Sequence, residues 1–249
     1  MKKKKRKFNL DLNGTKAKII YHQFKGINVK TFLVSFVSKK RILSTLEGFK
    51  HVSFIGNHYN PPELWDLVHK NRKEYEEKIC ADLKLKPSNV AMLFTGADMD
   101  NLSIKMEECD GFKVYACVTA GVKSNAQRIG VDKAGSIEKQ EGKFIRLNTV
   151  NIIVLTNASL TVGAMARSII TITEAKTIAF QDLDIRSSYN SEIQATGTGT
   201  DNVIVVSGFG PKITYVGGHA KIGEIMARAV SSAVKEAIFK QDRIKNGTL

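Results

Sequence analysis

The sequence predicts a single-domain α/β fold with α+β character, a mixed β-sheet sandwiched by helices. Three observations predict it. Residues 17–37 are rich in β-branched and aromatic residues, the middle of the chain holds three short apolar runs, and the last third carries long apolar stripes at helical spacing. At 249 residues and 43% hydrophobic content, the chain is long enough to bury a sizeable core. The expected organisation is a basic flexible tail over residues 1–10, one domain over 11–243, and a short tail over 244–249.

Taken in order, residues 17–24 and 29–37, separated by the turn-like "KGIN", read as a hairpin. Residues 42–46 can add a short strand. Residues 48–60, with His51, Asn57 and His58, read as a loop too polar to be only a connector, which makes His58 a candidate substrate-binding residue. A helix is expected next: Asn60 can cap it, Pro61 suits its first position, and Glu63 follows three residues past the cap. Leu64, Leu67, Val68, Tyr75, Ile79 and Leu83 then share a helical face. Residues 90–95, 114–119 and 150–156 fit strands buried on both faces. Each ends in threonine followed by a polar sequel, "TGAD", "TAGVKSN" and "TNAS", so three central strands are expected to deliver polar loops at their C-terminal ends, where ligands collect in open α/β sheets. Residues 132–146 read as a charged surface excursion. Residues 160–184 are helical, as two consecutive helices or one; 203–206 is a buried strand, and 221–240 is a core-packing helix.

The formal charge is +14, but six of those charges sit in residues 2–7, so the rest of the chain carries only +8. A solubilising end is favoured over a nucleic-acid or membrane-surface contact, because no aromatic residues interleave the lysines. No apolar run approaches the roughly 20 residues of a membrane span, and the expected location is the cytoplasm. Cys80, Cys109 and Cys117 have neither an even count nor metal-type spacing, so reduced thiols are expected, with no metal and no cofactor. The sequence is compatible with a homo-oligomer.

The stretch "ATGTGTD", residues 195–201, is rich in glycine and threonine, yet a strand pattern follows it rather than the helix that a phosphate loop requires. If extended, it sets Thr196, Thr198 and Thr200 on one side and leaves the other open to close backbone approach at Gly197 and Gly199; a plain glycine-rich turn is the equal alternative. In "TEAK", Thr173 can cap a helix while Glu174 or Lys176 reaches a site as acid, base or charge clamp; otherwise it is an exposed helix turn. His219 follows two glycines at a helix start, a setting that suits proton transfer or an ordinary surface histidine.

In order along the chain, "ILSTLEGF", "NHYNPP", "VTAGVKSNAQRIG", "TVNIIVLTNASLTVGAMARSIITITEAKTIAFQDL", "ATGTGTD" and "YVGGHAKIGEIMARAV" resemble the adenosylcobinamide amidohydrolase family of archaeal and bacterial corrinoid salvage, over residues 42–230. The early motifs are looser than the family's and the later ones closer. The resemblance implies a corrinoid substrate and hydrolysis of the amide that joins aminopropanol to the corrin ring, giving adenosylcobyric acid and 1-amino-2-propanol. It does not assign residue roles. Amide hydrolysis needs a nucleophile, a proton for the leaving amine and a cradle for the oxyanion. The candidates are Thr198 or a bound water for attack; His219, Glu174 or Asp201 for protons; Asn125, Asn157 or loop N–H groups for the oxyanion; and Lys176, Thr196, Thr200 and His58 around the substrate. A non-catalytic corrinoid-binding protein is the main rival, and a nucleic-acid-binding protein ranks below it.

Overall fold

A computed structural model describes residues 3–134 and 149–244. Its strands are β1 (Lys5–Phe8), β2 (Thr15–Phe24), β3 (Ile27–Ser44), β4 (Gly48–Tyr59), β5 (Val90–Thr95), β6 (Ser103–Cys109), β7 (Phe112–Ala120), β8 (Ala126–Gln127), β9 (Val150–Thr156), β10 (Ser159–Leu160), β11 (Gly197–Thr198), β12 (Asn202–Val206) and β13 (Lys212–Ile213). The helices are α1 (Trp65–Lys70), α2 (Arg72–Asp82), α3 (Val162–Asp182) and α4 (Lys221–Asp242).

Nine of these strands form one mixed sheet, and β3 holds it together. The first half of β3 pairs with β2, its end pairs with β12, and β4 runs along its other side. The sheet curls so that β2, β3, β4 and β5 face β7, β9 and β12 across a shared core of Ile19, Phe32, Ile55, Leu93, Ile153 and Ile204. Period-two alternation in β9 sends Ile153 and Leu155 into that core and Ile152 and Val154 outward against α3 and α4. Helices α1 and α2 cover the other outer face through Val68, Tyr75 and Ile79. The result is four layers: helices, half-sheet, half-sheet, helices.

Several elements differ from the sequence reading. Residues 5–8, expected in a flexible tail, pair antiparallel with residues 17–20 of β2, and Lys3 bonds Asp82. Residues 48–59 are a strand rather than a loop, because the polar groups of Asn57 and His58 find buried partners on opposite faces of it. Asn60 caps no helix; its amide meets Tyr75 Oη at 2.9 Å, and the expected long helix is broken at Asn71, which accepts from Glu74 N and caps α2 instead. Residues 162–182 are one helix, capped by Thr161. The excursion expected at 132–146 lies largely outside the described residues.

His58 is fully buried beneath α2. A chain of hydrogen bonds runs Asp82, His22, Thr31, His58, Tyr75, Asn60, with spacings of 2.6, 2.9, 2.7, 3.1 and 2.9 Å. Burial holds both imidazoles below the usual histidine range. Tyr75 Oη donates to Asn60 Oδ1, so His58 Nε2 donates to Tyr75 Oη and His58 Nδ1 accepts from Thr31 Oγ1, a pattern that keeps His58 neutral.

Because the folded-state values are depressed, the unfolded chain binds protons that the folded chain refuses once the pH falls below about 6.5. Stability contributed by neutral His58 is therefore complete above that pH and is lost below it. The stability gap between wild type and His58→Asn, from urea unfolding, is expected to narrow on acidification from pH 7.5 to 5.5, by up to about 1.4 kcal/mol per pH unit below 6.5. A gap that stays constant or widens contradicts a neutral His58.

Candidate functional site

Strand directions decide which polar loops meet. Strand β7 is antiparallel to β9, so Ala120 at the end of β7 lies opposite Val150 at the start of β9, and β12 starts beside them with Asn202 opposite Asn151. The ends of β4 and β5 reach the same edge, where Asn151 Nδ2 donates to Asn57 Oδ1 and to the Phe94 carbonyl, both at 2.9 Å. The sequels of β5 and β7 are at this edge. "TNAS" is not: it leaves β9 at the other end of the sandwich, where Asn157 takes Lys113 N at 2.9 Å and donates to Gly111 O at 2.7 Å, tying down the β6–β7 turn.

The stretch 195–201 closes over the first edge. Strand β11 pairs antiparallel with β8, setting Gly197 opposite Gln127 and Thr198 opposite Ala126. The chain then turns back, and Asp201 is the pivot of the turn. Its Oδ2 accepts from Thr198 N at 3.1 Å and from Lys176 Nζ at 2.5 Å; its Oδ1 accepts from Val150 N at 3.1 Å and from the Thr198 hydroxyl. Those donors occupy the acceptor positions that a carboxylate offers. Lys176 reaches the turn from the middle of α3, its side chain 9% exposed and its partner's 17%. Gly197 makes room for it, since a methyl group there would lie 2.3 Å from Nζ and 2.5 Å from Oδ2.

The three threonines do not share one wall. Thr196 accepts from Ile129 N at 3.0 Å, Thr198 turns into the Asp201 carboxylate, and Thr200 receives Asn125 Nδ2 at 3.4 Å. Behind them a buried seam passes from Thr149, which donates to Thr200 O, to Asn151, Asn57 and Thr119. The sequence reading missed Thr149, Asn151, Thr119 and Gln127 as neighbours of the site. The asparagine inside the apolar run "TVNIIVLT" was the available signal.

Of the sequence candidates, the structure gathers Thr196, Thr198, Thr200, Asp201, Asn125 and Lys176. It does not bring four others there. Asn157 lies at the far edge, and His58 faces α2 on the outer side of its half-sheet. Glu174 is exposed, two residues and so roughly 200° around α3 from Lys176. His219 is exposed and stacks on Tyr215, ring centroids 4.7 Å apart. Thr173 caps nothing; it is inside α3 and donates to Ile169 O. Among the described residues no group of three metal-type ligands occurs, and no helix is long and apolar enough to cross a membrane.

Comparison with known proteins adds a family. The sequence model for adenosylcobinamide amidohydrolase matches residues 15–246. An uncharacterized protein of Methanocaldococcus jannaschii is 50% identical over 250 residues, covering 95% of this chain and 98% of its own. Two solved structures are more distant: the PH0078 protein of Pyrococcus horikoshii (TM-score 0.45, 12% identity, 94% of this chain and 85% of that one) and an L-aminopeptidase D-Ala-esterase/amidase of Ochrobactrum anthropi (TM-score 0.43, 11% identity, 96% and 87%).

Removing one partner of the enclosed Lys176–Asp201 pair leaves the other charge without its counter-ion, so Lys176→Met is expected to cost about 3 kcal/mol in urea unfolding. Adding Asp201→Asn to that variant should recover part of the loss. A neutral Lys176→Met would mean that the pair does not hold the turn.

Proposed function

The chain belongs to the adenosylcobinamide amidohydrolase family, and from that premise we propose that it hydrolyses the amide between a corrin propionyl group and aminopropanol, releasing adenosylcobyric acid and 1-amino-2-propanol. The observation that carries this reading is the Lys176–Asp201–Thr198 cluster, enclosed at the sandwich edge.

In this proposal Thr198 Oγ1 attacks the amide carbonyl carbon. The carboxylate of Asp201 fixes the hydroxyl's orientation, and Lys176 supplies positive charge as the carbonyl oxygen becomes anionic. Because its acceptor positions are already engaged, Asp201 is a positioning group first; it takes the Thr198 proton only as one of its other donors withdraws. Asn125, beside Thr200, is placed to hold the carbonyl or the aminopropanol hydroxyl. The C–N bond breaks as the amine gains a proton, and water then hydrolyses the resulting ester to the free acid. Neither Glu174 nor His219 has a role here, since each sits apart from the cluster.

Incubation with adenosylcobinamide and product analysis by mass spectrometry tests the reaction: 1-amino-2-propanol and adenosylcobyric acid should accumulate together. Tight binding without release would make the protein a corrinoid carrier and end the proposal. For the nucleophile, Thr198→Ala should lower the single-turnover rate by about a thousandfold, whereas Thr196→Ala should stay within tenfold of wild type. Retention of most of the rate in Thr198→Ala would leave a water as the attacking group.

A further inference from the structure

At the opposite end of the sandwich the two half-sheets open on a cavity of about 580 Å3 that shares no residue with the Asp201 cluster. Strand β9 spans the gap, from Val150 at Asp201 to Thr156 in the cavity wall, roughly 20 Å at the usual rise per residue.

Lys40 lines this cavity, and its position is unusual for a lysine. The register of β3 against β4 shifts between Ser35 and Lys40, a bulge of the kind that re-aims side chains. Phe32 and Val34 before the shift, Phe36 within it and Ile42 after it point into the core between the half-sheets, and Lys40 falls on the same face, only 8% exposed. Among the described residues no carboxylate lies within ion-pair distance of its ammonium. The acids of the cavity rim, Asp11 and Glu108, both face Lys113. What Lys40 does meet is the ring of Phe209, whose centroid lies 3.5 Å from Nζ. Burial moves the ammonium below the usual lysine range, as expected of a cation without an anion.

Phe209 is held in place rather than packed away. Gly208 N donates to Ala158 O at 2.7 Å and Gly210 N to Asn157 O at 2.8 Å. A methyl group at Gly208 would lie 2.2 Å from Asn157 O, so the loop is fitted onto its neighbour. Yet the phenyl ring it presents is 66% exposed. A buried cation with no counter-ion among the described residues and an ordered, uncovered aromatic ring thus share one cavity of ligand size.

We propose that this cavity binds a small aromatic monocarboxylate, its carboxylate on Lys40 Nζ and its ring against Phe209. Among the described residues of the cavity wall one cation, Lys40, is unmatched, which calls for a single negative charge, and the carboxylates of Asp11 and Glu108 at the rim disfavour a doubly charged phosphate. The apolar part of the wall, Phe36, Leu155 and Val206, suits an aromatic body. The site is separate from amide cleavage and does not depend on the reading of the Asp201 cluster.

Isothermal titration of the full chain with benzoate, and with inorganic phosphate in parallel, tests it. Benzoate is expected to bind saturably at one site, about tenfold more weakly to Lys40→Met and several-fold more weakly to Phe209→Ala, with Lys39→Met unchanged as the control for surface charge. Phe209→Ala alters an exposed ring, so it reports on the site even if Lys40→Met perturbs folding. Absence of saturable benzoate binding, equal affinity in wild type and both site variants, or phosphate binding as tightly as benzoate would each overturn the proposal.

Discussion

The structure depends on one strand being too long for one flat sheet. Strand β3 has 18 residues, about 60 Å of extended chain, and a twisted sheet cannot stay flat over that length. The bulge after Ser35 lets it bend, so its first half builds one wall with β2 and β4 while its end joins β12 and through it β9 and β7. Folding one sheet on itself yields a core between two walls that are covalently continuous. It also leaves two open ends. The Asp201 turn closes one, and the other keeps a cavity beside Lys40. Both features therefore follow from how a single strand is bent.

Polar groups inside such a core cost free energy unless each finds a partner. Two chains of side chains meet that requirement on opposite faces of β4. Asn57 faces inward and joins Asn151 to Thr119 across the half-sheets; its neighbour His58 faces outward and joins Thr31 to Tyr75. The inward chain makes a one-residue slip of β4 expensive, because a slip would bury His58 between the walls and strand Asn57 beneath α2. The same asparagine pair ends at Thr149, whose hydroxyl lies 3.4 Å from Asn151 Oδ1 and holds the carbonyl of Thr200. Register in the core and geometry at the turn are thus fixed by one connected set of bonds.

This also explains what could be read in the sequence. Strands β5 and β9 and helices α3 and α4 were legible because burial alone sets their periodicity. Strand β4 was not, since "NHY" looks like a loop until Thr119, Asn151, Thr31 and Tyr75, 17 to 94 residues away from their partners, are brought alongside. At the site, Gly197 was legible as a point of close approach, while Asp201, read as a candidate for proton transfer, is the pivot of the turn. Lys176 and Glu174 were indistinguishable as neighbours in "TEAK", and only the helical rotation separates them. Asn157 was misplaced for a different reason: a strand's direction within a sheet is a property of topology, and the polar sequel of a strand antiparallel to its neighbour leaves at the opposite end.

In the proposed reaction, the turn at Asp201 gives a poor nucleophile direction without a strong base beside it. A threonine hydroxyl that points freely into solvent samples several rotamers; at Thr198 the hydroxyl and the backbone N–H are both committed to one carboxylate, which fixes the lone pairs of Oγ1 relative to the turn. That carboxylate is itself held by Val150 N and Lys176, so its position derives from the sheet and from α3 rather than from the loop. Side chains supported in this way keep their geometry as a substrate arrives, and orientation of reacting groups is worth several kcal/mol of barrier. Lys176 adds a second effect: its charge is neutralised by Asp201 in the resting site, so a developing oxyanion would draw on an ammonium already in place. The missing side chain at Gly197 allows that arrangement, because any Cβ would stand between the ammonium and the carboxylate.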